Sequence, residues 1–492
     1  MTYFPGIRAI PVALLRLLLV VILRESGEHY YDGSSKLLNQ YDFIIVGGGS
    51  AGSVLAARLS EIPQWRVLLL EAGGPPPPES HVPGFNQLLL QGDADWNYFT
   101  TRQKKSFNGF TDNRIPYPRG RVIGGSSVIN SMFWVRGNRR DFDNWEAMGN
   151  PGWGYKDVDP YFKKLEDFRG KVNAKTASIH GYDGPVTVEN RVWRTPALEG
   201  FLRAGKQMGY DIVDPSDPDQ IGFFEVDITA KNSVRWSTAD AYIKPSASRP
   251  NLHVVLNAHV TKILFDDYKR AIGVRFEHRR KLKSVYARRE VLLSAGAIGS
   301  PQILMLSGVG PADHLYQHGI PVLVNVPGVG HNLNDHPYLT GLAWTTKNGS
   351  SYNILDIVHP LTLQKYIHKR DGPLTSTISI EGYAWPLSAE GDPYWPEVQI
   401  AFLPFTIGND YGLITSHVLG IDRNLYYKYF HSLSGREGFS LGAFLTRPKS
   451  RGTVKLKSAN PMDAPLIDTN YFDHPDDMAA FIRECGVWLV CA

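Results

Sequence analysis

A glycine-rich turn between an apolar run and a helix constrains this chain more than any other feature. Residues 43–46 form a short apolar run typical of a buried strand, and they are followed at once by Gly47-Gly-Gly49-Ser50-Ala51-Gly52. Residues 50–59 are predicted to form a helix whose N-terminal amides point back at the turn. This order of strand, glycine turn and helix is typical of dinucleotide-binding α/β proteins.

Each glycine of the turn has a distinct predicted task. Gly47 allows the sharp exit from the strand, Gly49 lets the backbone approach a pyrophosphate, and Gly52 lets the helix pack against the sheet. A second apolar run at residues 67–70 predicts the neighbouring parallel strand. Glu71 ends that strand, where an acidic side chain accepts hydrogen bonds from an adenosine ribose. The motif predicts a dinucleotide without separating NAD from FAD.

Length and charge exclude several functional classes. A chain of 492 residues is long enough for two or more domains, and its formal charge is only +4. Basic residues cluster at positions 279–289, between two strand-like runs, and this pattern favours a solvated hairpin over a nucleic-acid surface. No spacing of histidine and cysteine predicts a metal site. We therefore expect neither a nucleic-acid partner nor a metal.

The two ends of the chain carry conflicting signals about compartment. The only cysteines are Cys485 and Cys491, so no disulfide framework crosses the body of the protein. Residues 10–23 form an apolar run interrupted by Arg16, too short to span a bilayer comfortably but suited to a secretory signal. We expect a secreted protein with no stable transmembrane span, and assign residues 1–39 to a signal-like or anchor segment and linker. A signal anchor and a non-targeting extension are the alternatives.

A second stretch, at residues 120–137, begins with glycine and serine and continues with apolar residues. Its first part, Gly120-Arg-Val122-Ile-Gly-Gly125-Ser126-Ser, predicts a turn with exposed amides and hydroxyls, suited to a phosphate or to the polar edge of a ring. The apolar residues that follow suit a segment buried beside a flat aromatic cofactor. Without a ligand, the same pattern describes a loop that caps a helix.

This stretch resembles the first signature of the glucose–methanol–choline (GMC) flavoprotein oxidoreductases. Residues 296–310 and 328–336 resemble further family segments, and the matching pieces run in the family's order from Tyr41 to about His474. The similarity is nearest to the insect glucose-dehydrogenase-like branch. In residues 296–310 we predict a short helix with Ser300 as its N-cap, Pro301 as its first residue and Gly308 beyond its end.

The resemblance implies an α/β fold in two parts and a bound FAD. A discontinuous Rossmann-like FAD domain would comprise residues 40–150 and 226–338, and an antiparallel-sheet substrate domain residues 151–225 and 339–474. The residues implied at the ADP half of FAD are Gly47, Gly49, Ser50, Ala51, Gly52 and Glu71, with Val260 meeting the adenine. Those implied along the pyrophosphate and the flavin ring are Val122, Gly125, Ser126, Asn130, Ser131 and Met132.

The implied activity is oxidation of a CH–OH group of an alcohol or sugar by hydride transfer to the flavin, with a quinone or similar acceptor favoured over oxygen. In the family, a histidine in a His-Pro-x-Gly-Thr segment near the carboxyl end acts as base, and no such segment occurs here. We therefore leave the catalytic residue unassigned. We expect the family's C-terminal segment, which returns to the FAD domain, to be absent, with residues 475–492 a truncated or divergent tail.

Three accounts of such a C-terminus are an incomplete gene model, which we favour, a splice form and a degenerate paralogue. Two other functions compete with the oxidoreductase. One is an inactive FAD-binding remnant that serves as a binding or scaffold protein. The other is an NAD-dependent dehydrogenase, which does not explain the stretches at 120–137 and 296–310.

Overall fold

The protein is described here from a computed structural model over residues 37–353, 357, 359–388 and 392–491, with side chains up to residue 483. The signal-like run at residues 10–23 and both cysteine side chains lie outside this description. The predicted fold class is confirmed: a Rossmann-like α/β part carries the first glycine motif, and a separate antiparallel sheet packs beside it.

The first sheet has six strands and is parallel on one side only. Its spatial order is Leu252–Val255, Val67–Leu70, Gln40–Val46, Lys281–Leu293, Ala271–His278 and Ala258–Phe265. The first four strands are parallel, and the last two continue as an antiparallel meander. All four residues of Val67–Leu70 are buried, as an apolar run inside a parallel sheet requires. The basic cluster at 279–289 comprises the turn after Ala271–His278 and the first part of Lys281–Leu293, so it lies on a hairpin, as predicted.

Two helices begin at the edge of this sheet where its parallel strands end. Ser50–Leu59 has the predicted bounds, and a Cβ added to Gly52 would lie 1.9 Å from the Gly47 carbonyl oxygen, so only glycine permits this close packing. The second helix is Gly296–Leu306. The prediction that Ser300 caps it is wrong, because Gly296, at φ +78°, turns the chain from strand into helix earlier. Pro301 therefore lies inside the helix, and Gly308 follows its end as predicted.

The second sheet has five strands, all antiparallel. Its order is Tyr338–Thr345, Gly438–Leu445, Val398–Leu403, Gly382–Trp385 and Gly222–Glu225. One face packs against helix Pro196–Gln207 and against Ala480 and Phe481 of the last helix, Pro475–Cys491. The other face packs against Phe133 and Val135, which follow the second glycine stretch. The sheet is thereby held over the loop that was predicted to meet the flavin.

Short elements complete the described chain. The paired short strands are Phe133–Trp134 with Asp227–Ile228, Glu166–Phe168 with Val186–Val188, Ala230–Lys231 with Val234–Arg235, Val309–Gly310 with Val324–Asn325, and Thr453–Lys455 with Leu466–Asp468. The remaining α-helices are Ser126–Ile129, Arg139–Ala147, Tyr155–Leu165, Lys244–Ser246, Ala312–Gln317, Pro360–Lys369, Thr415–Leu419 and Arg423–Leu425. Single 3-10 or π turns are Pro78–His81, Pro83–Leu89, Thr111–Asn113, Ala239–Ile243, Pro373–Thr375, Tyr426–Phe430 and His431–Leu433. Across the residues described, no helix combines the length and the apolar character that crossing a bilayer demands.

A buried ionic cluster around His180 ties separate segments of the chain together. The His180 ring lies 3.2 Å from the Glu166 carboxylate through Nδ1 and 3.0 Å from Asp214 Oδ2 through Nε2, and it stacks on Phe168. Arg136 also pairs with Glu166. Burial opposes protonation of His180, but the hydrogen bonds to Asp214 and Glu166 outweigh it and raise its pKa to about 9. The ring is therefore an imidazolium at neutral pH.

Candidate active site

A cavity of about 480 Å³ lies where the parallel strands end. Val46, Leu70 and Leu293, the last residues of three neighbouring strands, all line it. Ligands of open α/β sheets bind at this carboxyl edge, because the loops that follow the strands leave a crevice there. The cavity is therefore the candidate dinucleotide site.

Gly49 of the first glycine motif meets Gly120 and Gly125 of the second glycine stretch at one wall of the cavity. A Cβ added to Gly125 would lie 2.6 Å from the Gly49 Cα, and one added to Gly120 would lie 2.3 Å from the Gly125 carbonyl. A Cβ on Gly49, by contrast, would meet only the Gly125 Cα, at 3.9 Å. The Gly49 backbone thus faces open cavity space that a side chain would fill, which is the shape that a bound pyrophosphate needs.

Two helix N-termini converge on the same space. Helices Ser50–Leu59 and Gly296–Leu306 both begin at the cavity, and residues of both first turns line it. Neither first turn contains an acidic residue, and neither helix has a side-chain N-cap. Their free amide groups and positive dipole ends therefore favour an anionic ligand.

Glu71 lines the cavity and is almost fully buried, with 5% of its surface exposed. Its Oε2 accepts a hydrogen bond from the Gly48 amide at 2.7 Å, and its Oε1 accepts one from the Gly73 amide at 2.8 Å. Burial raises its pKa to about 7, although these amides lower it. Each carboxylate oxygen can accept a second hydrogen bond, so Glu71 remains able to receive a ribose hydroxyl.

An aromatic and basic wall closes the cavity beside Val260, and no cofactor contact was predicted for its residues Trp96, Tyr98 and Arg121. Trp96 and Tyr98 stack with ring centroids 5.6 Å apart, and the Arg121 guanidinium lies 5.0 Å from the Trp96 ring. His259 meets Trp96 edge-on, and its pKa is lowered by burial and by Arg121. His259 is therefore a neutral side chain at this wall.

The structure brings together only part of the predicted site. The cavity lining includes Gly47, Gly49, Ser50, Ala51, Glu71, Gly125, Ser126 and Val260. It does not include Gly52, Val122, Asn130, Ser131 or Met132. Gly52 lies behind the turn, and Val122 is buried beside Gly74. That each of these residues touches a cofactor stays a prediction.

Asn130 is held by a residue that sequence reasoning missed, Arg235. The Arg235 guanidinium donates to the Asn130 Oδ1 and to the Asn130 carbonyl, both at 2.8 Å, and also to the carbonyls of Ser80 and Ser127. Asn130 Oδ1 additionally accepts from the Met132 amide at 3.1 Å. Because Asn130 is exposed and its oxygen is engaged twice, its amide nitrogen is the atom offered to a ligand.

Arg235 itself has only 2% of its surface exposed. Burial lowers its pKa to about 9, and Asp240 raises it slightly against that effect. Its hydrogen bonds go to main-chain carbonyls and one side-chain amide, so the guanidinium places a positive charge behind the Ser127–Met132 turn. Its partners lie more than a hundred residues away in sequence, and no local pattern could reveal it.

The fold and the site together define a two-part α/β protein with a dinucleotide cavity at a sheet edge and a second sheet placed over the adjoining loop. The sequence model of the GMC oxidoreductase N-terminal domain matches residues 41–338, and that of the C-terminal domain matches residues 448–485. The chain belongs to the GMC oxidoreductase family. The family prediction is thereby confirmed.

Similar proteins agree with this assignment. Glucose dehydrogenase [FAD, quinone] of Drosophila pseudoobscura pseudoobscura is 35% identical over 448 residues, which are 90% of this chain and 68% of that protein. Oxygen-dependent choline dehydrogenase of Brucella ovis is 37% identical, over 90% of this chain and 76% of the relative.

Two solved structures share the fold. Pyridoxine 4-oxidase from Mesorbium loti superposes with a TM-score of 0.73 at 28% identity, covering 90% of this chain and 78% of that one. A formate oxidase variant from Aspergillus oryzae superposes with a TM-score of 0.78 at 26% identity, covering 92% and 81%. FAD, the predicted cofactor, is the cofactor of this family, and that prediction is confirmed.

The expectation that residues 475–492 form a truncated or divergent tail is wrong as far as residue 485, because the sequence model of the family's C-terminal domain matches residues 448–485. That range contains the paired strands Thr453–Lys455 and Leu466–Asp468 and enters the last helix. Helix Pro475–Cys491 is therefore not a loose tail: Ala480 and Phe481 belong to the apolar cluster beneath the second sheet.

Proposed function

We propose that this protein is an FAD-dependent oxidoreductase that oxidises a CH–OH group of an alcohol or sugar and passes the electrons to a quinone or a similar acceptor. Family membership supports the redox class. The relatives differ in the acceptor for which they are named, since the glucose dehydrogenases are named for quinone and the choline dehydrogenases for oxygen. The insect-like signature stretches favour the quinone.

The observation that carries the proposal is the glycine-walled cavity between two helix N-termini. Gly49 and Gly125 leave room for the pyrophosphate of FAD, the two helix ends oppose its charge, and Glu71 accepts from a ribose hydroxyl. The chemistry that FAD supplies when bound is acceptance of a hydride. Arg235 fixes Asn130 so that its amide nitrogen faces the ligand side of the turn.

A second, smaller cavity adjoins the predicted flavin contact Ser131, and we call it the Ser131 cavity. Its volume is about 160 Å³. Its lining residues are Asn86, Gln87, Leu90, Ser131, Tyr338, Thr340, Ser379, Ile380, Leu403, Phe405, Ile407, Thr415, Val418, Leu419 and Ser440. It lies between the loop after the second glycine stretch and the five-stranded sheet, where a substrate would meet the flavin.

Removal of the hydroxyl proton requires a base, and no lining residue of the Ser131 cavity, within the described chain, is a histidine or a carboxylate. Burial raises the pKa of Tyr338, so its phenol does not act as a base near neutral pH. This observation favours one alternative function, an FAD-binding protein that does not oxidise alcohols.

An absorption spectrum of the purified 492-residue chain separates these functions. Flavin bands that bleach under anaerobic conditions on addition of an alcohol, and return on addition of a quinone, are the expected result. Flavin that stays oxidised with every alcohol supplied would support the inactive FAD-binding protein. Absence of flavin from folded protein, even after incubation with FAD, would refute both. Return of the bands with oxygen but not with quinone would overturn the acceptor alone.

We also propose that the protein is secreted, because the apolar run at residues 10–23 has the length of a signal. Expression of the full chain in insect cells, followed by N-terminal sequencing of protein in the medium, tests this directly. Intact protein that stays inside the cells would contradict it.

A further inference from the structure

A short acceptor pattern for a sugar, Asn348-Gly349-Ser350, lies outside the cofactor and substrate cavities. Asn-x-Ser or Asn-x-Thr, with x other than proline, is the pattern at which N-linked glycans are added to proteins that enter the secretory pathway. It is the only such triplet in the 492 residues, because every other asparagine is followed two positions later by a different residue type. Three residues are a weak signal by themselves, so the place of the triplet in the fold decides whether it can carry a glycan.

Asn348 lies on an exposed turn that follows strand Tyr338–Thr345. Lys347, Asn348 and Gly349 are exposed in succession, and Gly349 adopts φ +83°, a conformation that glycine takes without strain. A Cβ added to Gly349 would meet no atom of the described residues within 4 Å. The space around the turn is therefore open, and a bulky, hydrated group on Asn348 would displace no side chain of the core.

The turn is held by hydrogen bonds that a glycan would leave intact. The buried carboxylate of Glu437 accepts from the main-chain amides of Gly349 at 2.8 Å, Ser350 at 2.9 Å and Ser351 at 3.1 Å. All three donors belong to the main chain, so none of these bonds uses the Asn348 side chain. Replacing one amide hydrogen of Asn348 by a sugar therefore preserves the contacts that fix the turn.

Asn348 is also separated from both cavities. Tyr338 and Thr340, which line the Ser131 cavity, stand at the start of the strand that leads to the turn. Thr345 ends that strand, and at about 3.3 Å per residue it lies roughly 15 Å beyond Thr340. The described linings of the Ser131 cavity and of the dinucleotide cavity both exclude Asn348. A glycan attached at the turn therefore does not compete with a cofactor or a substrate for either cavity.

We propose that Asn348 is a glycosylation site and carries an N-linked glycan. The proposal goes beyond the oxidoreductase activity and rests on the secretion proposed above. The donor is a lipid-linked diphosphate oligosaccharide of the secretory pathway. Asn348 Nδ2 bonds to the anomeric carbon of the first sugar, the bond from that carbon to the diphosphate oxygen breaks, and the lipid diphosphate leaves as Nδ2 loses one proton. Nothing is oxidised or reduced. Ser350 supplies the hydroxyl that the acceptor pattern requires.

Expression of the full chain in insect cells tests the proposal on protein taken from the medium. Treatment with a peptide-N-glycosidase should lower the mass of the wild type by a single glycan. Asn348→Gln and Ser350→Ala should each abolish this mass shift, whereas Ser350→Thr should keep it, because threonine preserves the hydroxyl. Asn144→Gln changes an exposed asparagine outside any acceptor triplet and should also keep the shift, so it is the matched control. Circular dichroism establishes that each variant is folded.

Secreted, folded wild-type protein that shows no mass shift would overturn the proposal, as would a shift that persists in Asn348→Gln. Release of the glycan in heavy-oxygen water, beside a sample kept without the enzyme, marks the modified residue for peptide mass spectrometry. This separates glycosylation from spontaneous deamidation of the Asn348-Gly349 pair.

Retention of the wild type inside the cells would refute secretion and not the site. The full chain would then be expressed behind a heterologous signal peptide, which brings it into the secretory pathway whatever its own N-terminus does. A glycan on Asn348 of that protein would support the site, and an unmodified Asn348 would overturn it.

Discussion

Substitution of Gly49 and of Gly52 by alanine should separate cofactor binding from folding, although the two glycines lie three residues apart. A methyl group on Gly49 would meet a single protein atom within 4 Å, the Gly125 Cα at 3.9 Å. The backbone of Gly49, at φ −72° and ψ −164°, is one that alanine adopts without strain. A methyl group on Gly52 would lie 1.9 Å from the Gly47 carbonyl oxygen, which cannot move without shifting the strand.

The magnitudes follow from these distances. Gly52→Ala forces strand and helix apart and should lower the free energy of unfolding by about 3 kcal/mol or more. Gly49→Ala should change it by no more than about 0.5 kcal/mol, as an unstrained surface substitution does. The same methyl projects into the space assigned to the pyrophosphate, where one excess methyl costs about 1–3 kcal/mol, equivalent to about 5- to 150-fold in FAD affinity.

Urea unfolding of the flavin-free variants and titration of FAD by fluorescence quenching measure the two effects independently. Gly49→Trp extends the test, because its ring fills the cavity and should abolish flavin binding. A Gly49→Ala or Gly49→Trp variant with wild-type flavin content would refute the cavity as the FAD site. Loss of folding in Gly49→Ala, with Gly52→Ala unaffected, would refute the packing argument itself.

Three further changes test other parts of the structure. Arg235→Met removes the donors that fix Asn130 and should lower the flavin reduction potential, because a positive charge is lost; an unchanged potential in folded, flavin-loaded protein would contradict this. His180→Gln should abolish a pH-dependent stabilisation of about 3 kcal/mol. Because the pKa of His180 is raised to about 9 in the folded protein, this stabilisation is complete below about pH 6.5 and is lost as the pH rises through about 9. Urea-unfolding midpoints that change with pH in parallel in the variant and the wild type would rule this out. Glu71→Gln places an amide donor against the Gly48 or Gly73 amide and should lower the free energy of unfolding by about 1–3 kcal/mol. Urea unfolding measures this, and equal unfolding midpoints of the variant and the wild type would contradict it.

The cofactor half of the site was predictable because it is built from local backbone geometry. The turn from Gly47 to Gly52 and the helix Ser50–Leu59 lie within one stretch of sequence, and their shape follows from where glycine stands. The start of the second helix was misjudged by the same local logic. Serine followed by proline is a pattern that favours a helix start, but the chain already turns into the helix at Gly296, four residues earlier.

The Ser131 cavity and the contacts of Arg235 could not be predicted, because their contacts are long-range. Arg235 reaches Ser80 across 155 positions, and Asn86 meets Ser131 across 45. Neither residue belongs to a motif, and each becomes significant only when the chain brings the five-stranded sheet over the second glycine stretch. The sequence predicted a segment buried beside a cofactor after Ser127, but it did not predict that Arg235 binds Asn130.

This division has a consequence for how specificity can change within the fold. The cofactor wall consists of glycine backbone and helix ends, so a substitution there meets main-chain atoms at contact distance and disturbs the fold or the cofactor. The wall of the Ser131 cavity consists of side chains from separate segments, and replacing one alters shape or hydrogen bonding while the strands beneath it stay paired. Relatives about equally similar to this chain, at 35% and 37% identity, are named for glucose and for choline. If the Ser131 cavity holds the substrate, an FAD site that resists substitution beside a cavity wall that tolerates it would account for that difference in names.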